Sequence, residues 1–321
     1  MRQNRHLKNK KVLITGATGF IGANLVRRSL REGANVCVFT RKTSNKWRIK
    51  DVLKDLHEEY VDLMNYDAVK KAVFKFKPEV IFHTATYGGY IYQNDENKII
   101  STNINGTVNL VTACMGVGFE AFVNTGSSSE YGIKNEPMQE GDLLVPFNVY
   151  GVSKAAATLF CQAKALSCNM PIVTLRLFSP YGYYDEPSRL ISSIILGCLS
   201  GEAIELSLSS SVRDFVFIED VLDAYLKTVE KSKYVTGEVF NIGYGRERTV
   251  GAVVNKVMSL TMSNAKPIYN AKSNPRTEPK RWKADISKSK QMLNWVPKFD
   301  LTNGVQKSID WFKENISLYN V

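Results

Sequence analysis

Short apolar runs alternate with longer stretches of helical spacing through the first half of the chain. Lys11-Val12-Leu13-Ile14-Thr15 reads as a short buried strand, and Phe20 to Glu32 carries its apolar residues at helical intervals. Asn35 to Phe39 and Glu59 to Asp62 read as the next two strands, Tyr66 to Phe76 as a helix, and Val80 to His83 as a strand. Ile99 to Gly116 predicts a long helix, Ala121 to Asn124 a strand, Tyr150 to Ser167 a helix, and Pro171 to Leu177 a further strand. Strands alternating with helices of this length predict right-handed βαβ units and a parallel sheet. After about Phe178 the alternation loosens, and Pro, Ser and Tyr become frequent. The predicted class is therefore α/β, a doubly wound parallel sheet followed by a smaller and less regular C-terminal lobe.

Composition narrows the function without naming it. Of 321 residues, 44% are hydrophobic and 23% charged, which is a globular balance and excludes disordered and collagen-like chains. Lys and Arg number 42 against 31 Asp and Glu, and the resulting +11 favours anionic partners. The positive charge is spread along the chain with no nucleic-acid-binding pattern, so no nucleic acid is expected as a partner. Arg2 to Lys11 reads as a solvated tail, whereas Arg276 to Lys283 lies in a Pro-containing loop suited to an anionic substrate. No run approaches the roughly 18 apolar residues of a membrane span, and the N-terminal segment lacks the apolar core of a signal peptide. The 5 cysteines have no CxxC spacing and the 3 histidines are dispersed, so neither a metal site nor disulfides are expected. Scattered thiols of this kind suit a reducing, cytoplasmic setting.

Gly16-Ala17-Thr18-Gly19-Phe20-Ile21-Gly22 follows the first strand and opens the first helix. Gly16 permits the tight turn, Gly19 lets backbone approach a pyrophosphate, and Gly22 lets the helix pack on the sheet. The helix start offers free N–H groups to phosphates, so Thr18, Phe20 and Ile21 join the glycines as expected cofactor contacts. The fold is thus Rossmann-type. A cofactor domain is placed at 9–178 and completed by 211–243, with a substrate lobe at 179–210 and 244–321. NAD-binding folds usually carry Asp or Glu after the second strand to hold the ribose. Here Thr40, Arg41 and Ser44 occupy that stretch, and a guanidinium with hydroxyls suits a 2′-phosphate. NADP(H) is the favoured cofactor, with NAD(H) the alternative. Asp62 and Leu63 are placed against adenine, the Asp through either its carboxylate or its backbone.

Tyr150-Gly151-Val152-Ser153-Lys154 sets Tyr and Lys four apart, one turn apart on one helix face. An ammonium beside a phenol lowers the phenol's pKa and eases proton exchange. Upstream, Thr125-Gly126-Ser127-Ser128-Ser129-Glu130-Tyr131-Gly132 leaves a strand end, where sites in open α/β sheets gather.

With these motifs together, the chain resembles the extended short-chain dehydrogenase/reductase family, in its nucleotide-sugar epimerase, dehydratase and ketoreductase branch. The likeness also includes Asn103-Ile104-Asn105-Gly106-Thr107, Leu175-Arg176-Leu177-Phe178, Pro180-Tyr181-Gly182, Arg213-Asp214-Phe215-Val216 and Leu293-Asn294-Trp295-Val296-Pro297. The resemblance implies that Tyr150 exchanges a proton with the sugar and also contacts the cofactor, that Lys154 holds the nicotinamide ribose, and that Ser127 bonds the reacting oxygen. It implies that Thr84, Ala85 and Thr86 lie along the cofactor, with Asn103 nearby, and that His83 is structural. Arg213 and Arg276 are implied as a diphosphate clamp, with Ser128 and Ser179 beside the substrate. Ser179 stands where many relatives have Asn. Tyr87 is read either as a sugar contact or as surface packing. A homodimer through Asn103 to Met115 and Val149 to Leu166 is implied as well.

Three reactions share such a scaffold. Dehydratases place a Glu directly after an acid or Ser, whereas here Ser128 and Ser129 stand there and Glu130 lies one residue beyond. One residue along a strand turns the side chain to the other face, which argues against a dehydratase unless the turn bulges. The reading is a NADPH-dependent reduction of the C4 ketone of a nucleoside-diphosphate 4-keto-6-deoxysugar, in deoxysugar or surface-polysaccharide biosynthesis. The alternatives are a 4,6-dehydratase, a 4-epimerase, and a non-catalytic nucleotide-binding protein on the same fold.

Overall fold

The computed structural model describes residues 6–206, 208–270 and 281–319. Its centre is a seven-stranded parallel sheet formed by β1 (Lys11–Thr15), β2 (Asn35–Thr40), β3 (His57–Tyr60), β4 (Val80–His83), β5 (Ala121–Ser127), β6 (Ile172–Leu177) and β11 (Val239–Ile242). The spatial order is β11-β6-β5-β4-β1-β2-β3. The direction of strand succession reverses beside β1, which opens a crevice at the carboxyl ends of β1 and β4. β1, β4 and β6 are buried along nearly their whole length, as expected of strands covered on both faces.

Helices α1 (Phe20–Arg31) and α7 (Ile218–Lys231) pack together on one face of the sheet. The other face carries α2 (Tyr66–Phe76), α3 (Glu96–Ile100), α4 (Gly106–Met115) and α5 (Val149–Cys168). Helix α3 runs into α4 through a π turn at Ser101–Asn105, so the long helix expected from Ile99 begins three residues earlier and carries one wide turn. β3 lies two residues before its expected place. Its register sets Cys37 beside His57 and Thr40 beside Tyr60, and Val61 adds one last bond to Thr40. The Asp62 carboxylate then accepts from the Met64 N–H and turns the chain into the crevice.

Three short ladders lie outside this sheet. β7 (Pro180–Tyr181) pairs with β10 (Val216–Phe217), β9 (Val212–Asp214) with β12 (Glu247–Thr249), and β8 (Ile204–Glu205) with β13 (Pro267–Ile268). Helices α6 (Leu190–Ser200), α8 (Val250–Thr261), α9 (Ser287–Leu293) and α10 (Leu301–Glu314) accompany them, and α6 packs on both α8 and α10. Asp214 organises this region. Its buried carboxylate accepts from the N–H groups of Tyr244 (2.7 Å), Gly245 (3.0 Å) and Ala284 (2.9 Å).

Candidate active site

One long cleft follows the carboxyl ends of the strands, from Thr40 and Asp62 at one end to Ser179, Arg213 and Trp282 at the other. The glycine loop forms its floor. Gly16 has φ +69°, and a Cβ there would lie 2.5 Å from the Ala85 nitrogen. A Cβ on Gly22 would meet the Gly16 carbonyl oxygen at 2.2 Å. Both glycines are thus required by the protein's own packing. Gly19 differs: a Cβ there would touch only the Gly16 oxygen at 3.3 Å, so its open side belongs to the cleft. Gly19 also caps α1 without any side-chain bond, which leaves the helix N–H groups to an anion. Thr18, Phe20 and Ile21 line the same stretch.

At the end expected to hold adenosine, Thr40, Arg41, Ser44, Asp62 and Leu63 all line the cleft. The Thr40 hydroxyl is already engaged, donating to Glu58 at 2.6 Å, and Lys46 pairs with the same carboxylate at 2.6 Å. Glu58 is therefore drawn away from any ribose. Arg41 is exposed, and its backbone N–H bonds the Ser44 hydroxyl at 3.0 Å. Asp62 spends one carboxylate oxygen on its own turn, and the Leu63 carbonyl accepts from Asn109.

Thr84, Ala85 and Thr86 run beside the glycine loop, tied to β1 by the Thr84 hydroxyl on the Thr15 carbonyl at 2.7 Å. His83 is buried between the hydroxyls of Thr15 (2.7 Å) and Thr107 (2.9 Å). Burial, with Lys154 nearby, pushes its pKa down to about 3, so it stays neutral and acts as a structural strut. Asn103 faces the protein rather than the cleft. Its carboxamide accepts from Tyr87 N–H (2.8 Å) and the Thr86 hydroxyl (3.2 Å), and donates to Tyr87 O (2.8 Å) and Ser153 Oγ (2.9 Å). Asn103 thereby ties the 84–87 loop to α5. Tyr87 likewise lies off the cleft wall, its ring under the Lys98 ammonium at 4.7 Å, while Tyr90 and Tyr92 line the cleft as a stacked pair.

The groups expected to react converge where β5 ends and α5 begins. Asn148 caps α5 through a 2.7 Å bond to Gly151 N–H, which fixes the first turn and with it Tyr150. The Ser127 oxygen accepts from Ser129 N–H at 3.1 Å, so its own O–H is free to donate elsewhere. Tyr150, Ser127, Ser128 and Ser129 share the cleft wall. Tyr150 does not show the lowered pKa expected from the YxxxK spacing. Burial pushes the phenol up, against smaller downward pulls from Ser127, Arg189 and Thr86. Lys154 is itself 5% exposed, and burial lowers its pKa. Lys154 is not among the residues that line the cleft; it lies one helical turn behind Tyr150.

Glu130 is excluded from the cleft. It is 0% exposed and closes a 2.7 Å ion pair with Arg176, itself 2% exposed. Burial pushes its pKa above the usual carboxylate range while Arg176 pulls it back. At the substrate end, Arg213 stands 5.7 Å from the Trp282 ring, and Trp282 donates to Ser128 Oγ at 3.1 Å. Ser179 lines the same end, and Arg276 lies outside the described residues. Sequence reading missed Arg189, Asp185, Glu186, Arg48 and Trp282 on the wall. Arg48 joins Glu186 at 2.7 Å and donates to the Tyr184 carbonyl at 2.7 Å, a juxtaposition across more than a hundred residues that no local pattern announces. Among the described residues no cluster could hold a metal, and no helix is long and apolar enough to cross a membrane.

Comparison with known proteins agrees with this geometry. The chain is 27% identical over 320 residues to UDP-glucuronate 4-epimerase of Thermodesulfobacterium geofontis, covering 95% of this chain and 97% of that one. It is 27% identical to the trifunctional UDP-glucose 4,6-dehydratase/UDP-4-keto-6-deoxy-D-glucose 3,5-epimerase/UDP-4-keto-L-rhamnose-reductase of Arabidopsis thaliana, over 96% of this chain and 48% of that one. The solved structure of UDP-glucuronic acid 4-epimerase from Bacillus cereus, in complex with UDP-glucuronic acid and NAD, superposes with a TM-score of 0.85 at 26% identity. That match covers 95% of this chain and 99% of the other. The model of the NAD dependent epimerase/dehydratase family matches residues 12–243, most of the chain, and the protein belongs to that family.

Proposed function

We propose that the protein reduces the C4 ketone of a nucleoside-diphosphate 4-keto-6-deoxysugar with NADPH. The observation that carries this reading is the fate of the carboxylate after the Ser-rich turn. Glu130 is sealed in an ion pair, and Ser128 and Ser129 take the two neighbouring cleft positions. No carboxylate of this turn stands ready to abstract a C5 proton, which elimination of water requires. Redox chemistry at C4 remains. Arg41 at the adenosine end, with no carboxylate at position 40, supports a 2′-phosphate and hence an exchangeable NADP(H), although the Thr40 hydroxyl is itself spent on Glu58.

The cleft suits a dinucleotide through its open Gly19 side and uncapped α1 start. NADPH supplies a hydride when bound. The chain does the rest. Tyr150, kept protonated by burial, donates its phenolic proton to the sugar O4, and the Ser127 O–H orients that oxygen. Lys154 holds the ribose hydroxyls, and Arg213 reaches the substrate diphosphate, joined by Arg276 in the same role.

A 4-epimerase is the second reading, favoured by the full-length likeness to UDP-glucuronate 4-epimerase and by NAD in the B. cereus complex. Mixing the protein with NADPH and 4-ketosugars of several bases separates the two. Stoichiometric NADPH oxidation supports reduction. Interconversion of unreduced UDP-sugars with no net cofactor change establishes the epimerase instead.

A further inference from the structure

Glu130 has no place in the chemistry above, yet a fully buried carboxylate three residues from Ser127 needs a reason. One carboxylate oxygen accepts from the Ser127 N–H at 2.8 Å and from the Thr158 hydroxyl at 3.1 Å; the other accepts from Arg176 at 2.7 Å. Thr158 lies on α5 four residues after Lys154, on the same face and one turn away. The carboxylate therefore stands behind Lys154 and under Ser127 at once. Gly126 makes room for it, since a Cβ there would lie 2.7 Å from the carboxylate. Arg176 is held in turn by Tyr131, whose hydroxyl donates to Asn241 at 2.7 Å.

We propose that Glu130 is a positioning residue of this site, fixing Ser127 through its backbone N–H and setting a negative charge behind the Lys154 ammonium. The inference rests on the reading that Ser127, Tyr150 and Lys154 carry the reaction. An ammonium buried without a partner tends to lose its proton, and a neutral amine would hold ribose hydroxyls more weakly. Other groups facing Lys154 cannot supply this charge. His83 on β4 is neutral, and burial pushes the Cys161 thiol on α5 up to about 12. Tyr150 is a protonated phenol, and Arg189, which acts on it, has the wrong sign. The Glu130 charge acts on Lys154 and Tyr150 in the same direction, favouring the protonated form of each.

Glu130→Gln tests this, because it keeps the shape and an acceptor for Ser127 N–H while removing the charge. Two readouts are taken against pH: kcat for ketosugar reduction, and the affinity for NADPH by calorimetry. Both alkaline limbs should move to lower pH by about half a unit or more. Removing one member of a buried pair can prevent folding, so Glu130→Gln/Arg176→Met, which removes both charges, is made alongside. It should show the same shift. Alkaline limbs that superimpose on the parent's in a folded variant overturn the proposal. A parent protein that binds NADPH but reduces no 4-ketosugar overturns the proposed reaction alone, because the pH dependence of NADPH affinity still reads the Lys154 proton.

Discussion

The Asn103 carboxamide donates to the Ser153 hydroxyl across 2.9 Å, joining the π turn before α4 to the helix that carries Tyr150 and Lys154. π turns recur where a helix must present a side chain out of its regular phase. Here the wide turn aims Asn103 at the Tyr87 backbone and at Ser153 together, so one side chain fixes both the loop and α5. Asn103→Ala leaves several buried polar groups unpaired and should cost about 2–4 kcal/mol in urea unfolding. Unaltered stability would remove this tie from the account.

Tyr150→Phe removes one oxygen from the cleft and nothing that a cofactor needs. Single-turnover reduction should slow by about 10² or more, as for loss of a positioned acid. NADPH affinity should stay at the parent value. Near-normal hydride transfer in this variant would assign the proton to another group.

Cofactor choice turns on Arg41. NADP(H) should bind more tightly than NAD(H), and Arg41→Ala should erase most of that preference. Calorimetric titration with both cofactors decides, and equal affinities in the unaltered protein refute the assignment.

His83 makes stability depend on pH. Its folded-state pKa lies near 3, below the ordinary 6.5, because burial disfavours the charged ring. As pH falls below 6.5 the unfolded chain takes up this proton and the folded one does not. Stability is therefore present above that value and lost on acidification, by about 2 kcal/mol at pH 5 from this group. His83→Gln should flatten the difference between urea unfolding at pH 7 and pH 5. An equal slope in both proteins would exclude His83 as its source.

Val152, Leu159 and Leu166 recur every seven residues on α5 and are 48%, 56% and 71% exposed. An apolar stripe along one face of a long helix fits a two-fold contact with a second copy. Light scattering at micromolar concentration should return a dimer mass, and Leu159→Glu should reduce it to a monomer. A monomeric mass for the unaltered protein counts against the interface.

The glycine loop was legible in the sequence because its constraint is local. Gly16 needs a positive φ and Gly22 needs contact distance, and both needs arise within one turn between adjacent elements. Strand alternation turns Glu130 to the other face. But β5 ends at Ser127 and Ser128–Glu130 forms a 3-10 turn, so the turn and the pairing with Arg176 decide where its carboxylate goes. The start of β3 was not legible, because the register against β2 was decided by pairing rather than by the Glu59 to Asp62 pattern.

By itself the sequence determined the α/β alternation, the phosphate loop at the first crossover, and the placement of Tyr150 and Lys154 one turn apart. These follow from spacing along the chain. The tertiary structure decided what spacing cannot reach. β5 and β6 set Gly126 beside Arg176, so the guanidinium meets Glu130 from 46 residues away and locks it out of the cleft. Burial raised the Tyr150 pKa where its Lys neighbour alone would have lowered it. The bonds of Asn103 to the Tyr87 backbone and to Ser153 likewise join segments far apart in the chain. Charge and hydrogen bonding depend on which atoms surround a group, and those neighbours exist only once the chain has folded.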